Sequence, residues 1–212
     1  MSVSQVDAEG LLAGLLNTPE QLDEYAERIL EAAEQQFMEF GLRRTSLDRI
    51  AQAAGVSRVT LFRRFTSRDV LLSAVVARAV GRFIAEFDAE LAGMEMSEER
   101  IVRGVVTAAR LLASDSLLRR LLVTDPDAVL PLLSIDGGVF FGLSRAYVAD
   151  HLLRAREAGM AIKGDPNMLA EIFVRLAHSL LLYPSGALVD DEARLVEFTR
   201  SNILPMVLSR AV

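Results

Sequence analysis

The chain has 212 residues, with 23 Lys and Arg against 29 Asp and Glu, a formal net charge of −6. That length admits a small domain plus one larger one, and the absence of cysteine excludes disulfides and cysteine-ligated metals. The first basic residue is Arg28 and no apolar run reaches the roughly 18 residues of a membrane span, so neither a secretory leader nor a membrane anchor is expected and the chain is placed in the cytoplasm.

Six prolines and few β-branched runs argue against a sheet, and the patterning is helical throughout. Residues 1–19 match no pattern and are expected to form a mobile arm, with Leu11 to Leu16 as a loosely docked turn at most. The first domain is assigned to 20–67 and the second to 68–212. Within the first, Ser46 followed by Leu47, Ile50, Ala51 and Ala54 gives an N-cap and one apolar face. Gly55 supplies a left-handed turn, Val56 plugs the angle, and Ser57 caps a second short helix. Leu61 and Phe65 face inward in that helix, leaving Arg58, Val59, Thr60, Arg63 and Arg64 outward.

Between Gly41 and Arg68 lie seven arginines (43, 44, 49, 58, 63, 64 and 68) and one acid, Asp48. A local charge of +6 in a chain totalling −6 leaves −12 on the remainder, so an acidic pI does not argue against nucleic-acid binding. A hydroxyl and guanidinium groups at a helix N-terminus suit a major groove. The bland alternative is a solvated arginine face on a helical hairpin, which would require both caps, the glycine and the charge asymmetry to coincide.

From Ile29 to Leu72 the chain resembles the TetR family of bacterial transcriptional repressors. The resemblance rests on Phe37, Phe40 and Gly41, Thr45-Ser46, Ile50-Ala51, Ala54-Gly55-Val56-Ser57, Thr60-Leu61-Phe62, Phe65 and Arg68. It departs from the family pattern at Phe62, where Tyr is usual, at Arg64, where Tyr or His is usual, and at Arg68, where Lys is usual. The last two swaps keep or add positive charge, and Arg clamps phosphate with two hydrogen bonds. The resemblance implies an all-α fold, an N-terminal three-helix reader and a larger ligand-binding and dimerisation domain. The DNA-contact set it implies is Thr45, Ser46, Arg49, Arg58, Val59, Thr60, Phe62, Arg63, Arg64 and Arg68.

After the reader, helices are predicted at about 67–91, 97–113, 115–123, 126–134, 137–158, 165–183 and 191–209. Leu72, Val75, Val76, Ala79, Phe83, Phe87 and Leu91 form the stripe of the first. Ser97, Asp125-Pro126 and Asp165-Pro166 are start signals, Gly159 a C-cap, and Pro205 a kink or frayed turn. Residues 168–182 and the last helix carry two apolar faces each, and a second face implies a second partner. A homodimer through Leu176, Leu180, Leu181, Phe198 and Ile203 is expected, the alternative being full burial in a monomeric bundle.

A ligand pocket is expected among Phe140, Phe141, Leu143, Tyr147, Phe173 and Leu176, with Tyr147, His178 or Arg110 as its polar group. If it lies elsewhere, Val105, Ala109 and Leu112 are the next choice, while His151 reads as a surface residue. No cofactor, metal set or catalytic constellation is read. Asp190-Asp191-Glu192 is assigned to a helix start. The expected partners are a palindromic double-stranded DNA operator, a second copy of the chain and a small hydrophobic inducer. A helical interaction module with a non-functional reader is the competing reading.

Overall fold

In the computed structural model, the described residues are 24–133, 138–183, 185–186, 188 and 190–209; the expectation for residues 1–19 lies outside them. The helices are α1 Glu24–Phe40, α2 Leu47–Ala53, α3 Arg58–Arg64, α4 Arg68–Leu91, α5 Glu98–Ser114 and α6 Ser116–Thr124. They continue as α7 Pro126–Leu133, α8 Gly138–Glu157, α9 Pro166–Leu182, α10 Glu192–Phe198 and α11 Leu204–Val207. Strand-like pairing among the described residues is confined to one bridge, Ile162 to Leu208, with Lys163 N–H donating to the Val207 carbonyl. The fold class is all-α, as expected.

The chain divides into two compact units, and the division falls inside α4 and α8. The first comprises residues up to Arg82 plus Ser116–Val139; the second comprises Phe83–Asp115 and Phe140 onward. The grouping differs from a cut at 67/68 because α6 packs on α1, burying Leu117, Leu118 and Leu121.

In the first unit α1 buries Ala26, Ile29, Leu30, Ala33 and Phe37, an i, i+3, i+4 stripe. Residues Leu71 to Ala77 of α4 are buried in an unbroken run, so this stretch is covered on every side. Arg82 forms a forked pair with Glu34 at 2.5 and 2.8 Å, tying α4 to α1. Both partners keep solvent access, so the pair fixes geometry more than it stabilises, contributing about 1 kcal/mol or less.

The second unit is built on Ala149, Leu152 and Ala155 of α8, Leu169 and Ala170 of α9, and Ile203 and Val207 at the chain's end. A smaller cluster joins Val106 and Ala109 of α5 to Leu195 of α10. Ser97, Asp165 and Asp191 each accept from a backbone N–H in the first turn they cap. The last stretch is not one regular helix: Thr199–Ile203 forms a π turn between α10 and α11. Pro205 explains it, since it has no N–H for the carbonyl of Ser201 and its ring crowds that carbonyl; the wider turn relieves the clash.

Candidate nucleic-acid interface

Two short capped helices and the turn between them make the basic face. Ser46 Oγ accepts from Arg49 N at 3.2 Å, and Ser57 Oγ accepts from Thr60 N at 3.0 Å. Gly55 sits at φ +62° between them, and Val56 N–H closes the turn onto the Ala51 carbonyl. Arg28 of α1, which no local sequence pattern marks, donates to the carbonyls of Ala54 (2.7 Å) and Gly55 (3.2 Å). It thereby satisfies carbonyls left over at the end of α2. Ile50, Leu61 and Phe65 are buried beneath, which fixes the angle of α3 against α2.

Ser46, Arg49, Arg58, Val59, Arg63 and Arg64 are exposed, Val59 at 69%, and Thr60 and Phe62 are half-buried. The arginines are partly pre-positioned. Arg58 pairs with Asp48 at 3.0 Å and stands over the Phe62 ring, and Arg49 lies 4.5 Å from the Phe40 ring centroid. Stacking of this kind lowers the entropy lost when a guanidinium is held at a phosphate. Phe62 thus has a role its missing hydroxyl concealed: it supports Arg58.

Two residues expected on this face are turned away from it. Thr45 is only 2% exposed, its hydroxyl donating to the carbonyls of Gly41 (2.8 Å) and Gln36 (3.2 Å). Arg68 is half-buried and donates to the Thr45 carbonyl at 2.7 Å, with its Nε buried and unpartnered. The Thr45 hydroxyl ties the start of α2 back to the end of α1, and Arg68 ties it to the start of α4. Arg43 and Arg44 are exposed, but Arg43 pairs with Asp127 and Arg44 donates to the Phe40 carbonyl.

Asp125 also does something no local pattern showed. Its position before Pro126 marks the start of α7 as expected, yet its carboxylate accepts from Leu42 N at 2.8 Å and Arg43 N at 3.0 Å. Burial alone would raise its pKa. The Thr124 hydroxyl, the two backbone N–H groups and the charge of Arg43 outweigh that and hold it below the usual carboxylate range.

The expected pocket residues of the second unit stand in different surroundings. Phe140 is buried, and Phe173 packs on the main core. Phe141 lies edge-on to His178, with Arg175 over its ring. Tyr147 donates to Asp88 at 2.6 Å; burial, then this carboxylate, keeps its phenol protonated. His151, expected at the surface, is half-buried: it sits 3.4 Å from Asp88 and edge-on to Tyr147 and Phe87. Burial lowers the pKa of His151 despite Asp88, and that of His178 with help from Arg175. An open cleft of about 240 Å³ lies between α5 and α10, lined by Val106, Ala109, Arg110, Ala113, Ser114, Glu192 and Leu195. This is the neighbourhood of the second choice, with Arg110 as a polar member, although Arg110 is already paired with Glu90.

Of the expected interface residues, Leu181 (5% exposed) and Ile203 are buried inside the protomer, Ile203 in the main core. Leu180 is half-buried against the smaller cluster. Leu176 (45%) and Phe198 are exposed, and Leu176 continues an exposed stripe from Met168 and Ile172.

Known proteins resemble this chain both over the basic segment and over most of its length. Residues 29–75 match the family model described as bacterial regulatory proteins, tetR family. The HTH-type transcriptional regulator Rv1255c of Mycobacterium tuberculosis is 30% identical over 183 residues, 85% of this chain and 86% of the relative. Mb2274c of Mycobacterium bovis is 26% identical over 82% of this chain and 90% of that one. Among solved structures, the TetR-family repressor AlkX of a Dietzia strain matches with a TM-score of 0.65 at 20% identity, covering 89% of this chain and 99% of that one. SmeT, the repressor of a Stenotrophomonas maltophilia multidrug efflux pump, matches at 0.57 with 22% identity, over 87% and 91%. SmeT has also been solved as a complex with triclosan.

Proposed function

Since this chain belongs to the TetR family of bacterial helix-turn-helix transcriptional regulators, we propose that it is a dimeric repressor released from its operator by a small hydrophobic inducer. The observation that carries the DNA side is the exposed face of Arg49, Arg58, Arg63 and Arg64, with half-buried Thr60 among them, on a doubly capped helix pair. In this reading α3 enters the major groove, Thr60 and Arg58 meet base edges, and Ser46, Arg49, Arg63 and Arg64 meet phosphates. Val59 and Phe62 add apolar contact. Thr45 and Arg68 act by holding the start of α2.

The exposed stripe of Met168, Ile172 and Leu176, together with Phe198, supports a two-fold dimer. A dimer presents two reader helices to successive major grooves of an inverted repeat. The apolar lining supplied by Val106, Ala109, Ala113 and Leu195 supports a hydrophobic inducer. AlkX is implicated in n-alkane biodegradation and SmeT binds triclosan, which agrees with such a class. Release requires the inducer to bind the DNA-incompetent state more tightly, with α4, which runs through both units, as the connecting element.

The test is selection of DNA from a random duplex pool, followed by gel shift on the chain's own upstream region. Recovery of an inverted repeat bound by two chains is expected. Equal binding of every duplex would contradict the reading.

A further inference from the structure

We propose that Asp125 is a positioning residue for operator recognition: its buried carboxylate clamps the turn that delivers the chain into α2. This rests on the reading that α2 and α3 bind DNA. Asp125 is 2% exposed and lies 83 positions from Leu42, yet accepts the N–H groups of Leu42 and Arg43 on separate oxygens. The turn is built to receive it. Gly41 adopts φ +79°, and a Cβ there would stand 3.1 Å from Asp125 Oδ2, so a side chain at this position would strain the backbone and crowd the carboxylate.

The same turn holds the entry of the reader. The Gly41 carbonyl accepts the buried Thr45 hydroxyl, and the Thr45 carbonyl accepts Arg68. One residue later Ser46 caps α2. The carboxylate therefore fixes, through the short run from Leu42 to Thr45, where the first turn of α2 begins. Asp127 pairs with Arg43 at 2.5 Å on the exposed side of the turn, outside the buried clamp. Phosphate contacts tolerate small displacements, whereas base-edge contacts do not, so a loosened turn should cost specificity before it costs electrostatic binding.

Asp125→Asn tests this, because the amide keeps the shape but faces one backbone donor with a donor of its own. The probes are the duplex that the wild-type chain selects from a random pool and an alternating dI·dC duplex. The expected result is a folded protein whose affinity for the selected duplex falls about tenfold or more. Its dI·dC affinity and salt slope should stay within about twofold of wild type, with hydrogen exchange accelerated at the Leu42 and Arg43 amides. Asp127→Asn, which removes only the exposed pair, should leave the ratio of the two affinities unchanged. If Asp125→Asn fails to fold, Gly41→Ala decides: it keeps the carboxylate but pushes it off the turn, and should lower the same ratio. An unchanged ratio in a folded variant, or equal loss on both duplexes, overturns the proposal. If the wild-type chain selects no sequence, the DNA reading itself falls, and this one with it.

Discussion

Arg63 and Arg64 occupy the exposed end of α3, and replacing either with Ala should weaken binding to every duplex about equally. The slope of log affinity against log salt should fall by about 0.9 for each phosphate that is no longer neutralised. Thr60→Ala should instead change which base is preferred, at a cost of about 1 kcal/mol at one position. A uniform loss for Thr60→Ala, measured across single-base variants of the selected site, would reverse those roles. Most of this face was legible in the sequence because its determinants are short-range: a cap three residues from its donor, a glycine between two stripes, a run of arginines. Thr45 and Arg68 were not, since each is turned inward by a hydrogen bond outside the helix pair's own pattern: Thr45 to the end of α1, Arg68 to the Thr45 carbonyl 23 positions away. Arg28 and Asp125 escaped for the same reason, their partners lying 26 to 83 positions away.

On α9 the apolar residues run round most of the helix, and periodicity therefore could not say which face meets the protomer's own core. The structure separates them: Leu181 lies inside and Leu176 outside. Leu176→Glu should consequently give a folded monomer, whereas Leu181→Ala should give a protein destabilised by about 2–5 kcal/mol. Light scattering and denaturant midpoints on the two variants read the difference, and a dimer that survives Leu176→Glu would move the interface off α9. His151 on α8 and His178 on α9 both have pKa values lowered by burial. The unfolded chain then binds more protons than the folded one, so their contribution is fully present above about pH 6.5 and is lost as pH falls through the folded values. Chemical denaturation midpoints should be flat near pH ~7.5 and drop toward pH ~5, and His178→Gln should flatten part of that drop. A midpoint that rises on acidification would contradict the assignment. The π turn has a plainer origin: Pro205 announced an irregularity, but whether as a fray or a widened turn depended on packing around Ile203 and Val207, which the sequence pattern does not resolve.

For the molecule as a whole, repression requires two readers held at one spacing, and release requires a ligand that prefers a different state. Ala109→Phe would fill the cleft between α5 and α10; with DNA affinity intact and the response to a hydrophobic inducer lost, the cleft would be the effector site. Unchanged release would move that site toward Phe141 and Tyr147. The DNA claim stands before either, and a footprint on the selected duplex tests it most directly. Wild-type chain and an Arg63→Ala, Arg64→Ala double variant are compared across a salt series, with the protein-to-DNA ratio counted at saturation. Two chains on one inverted repeat are expected, with affinity falling steeply as salt rises; the folded double variant should lose protection and show a shallower slope. Protection by the double variant at unchanged affinity and slope would show that this face does not read DNA.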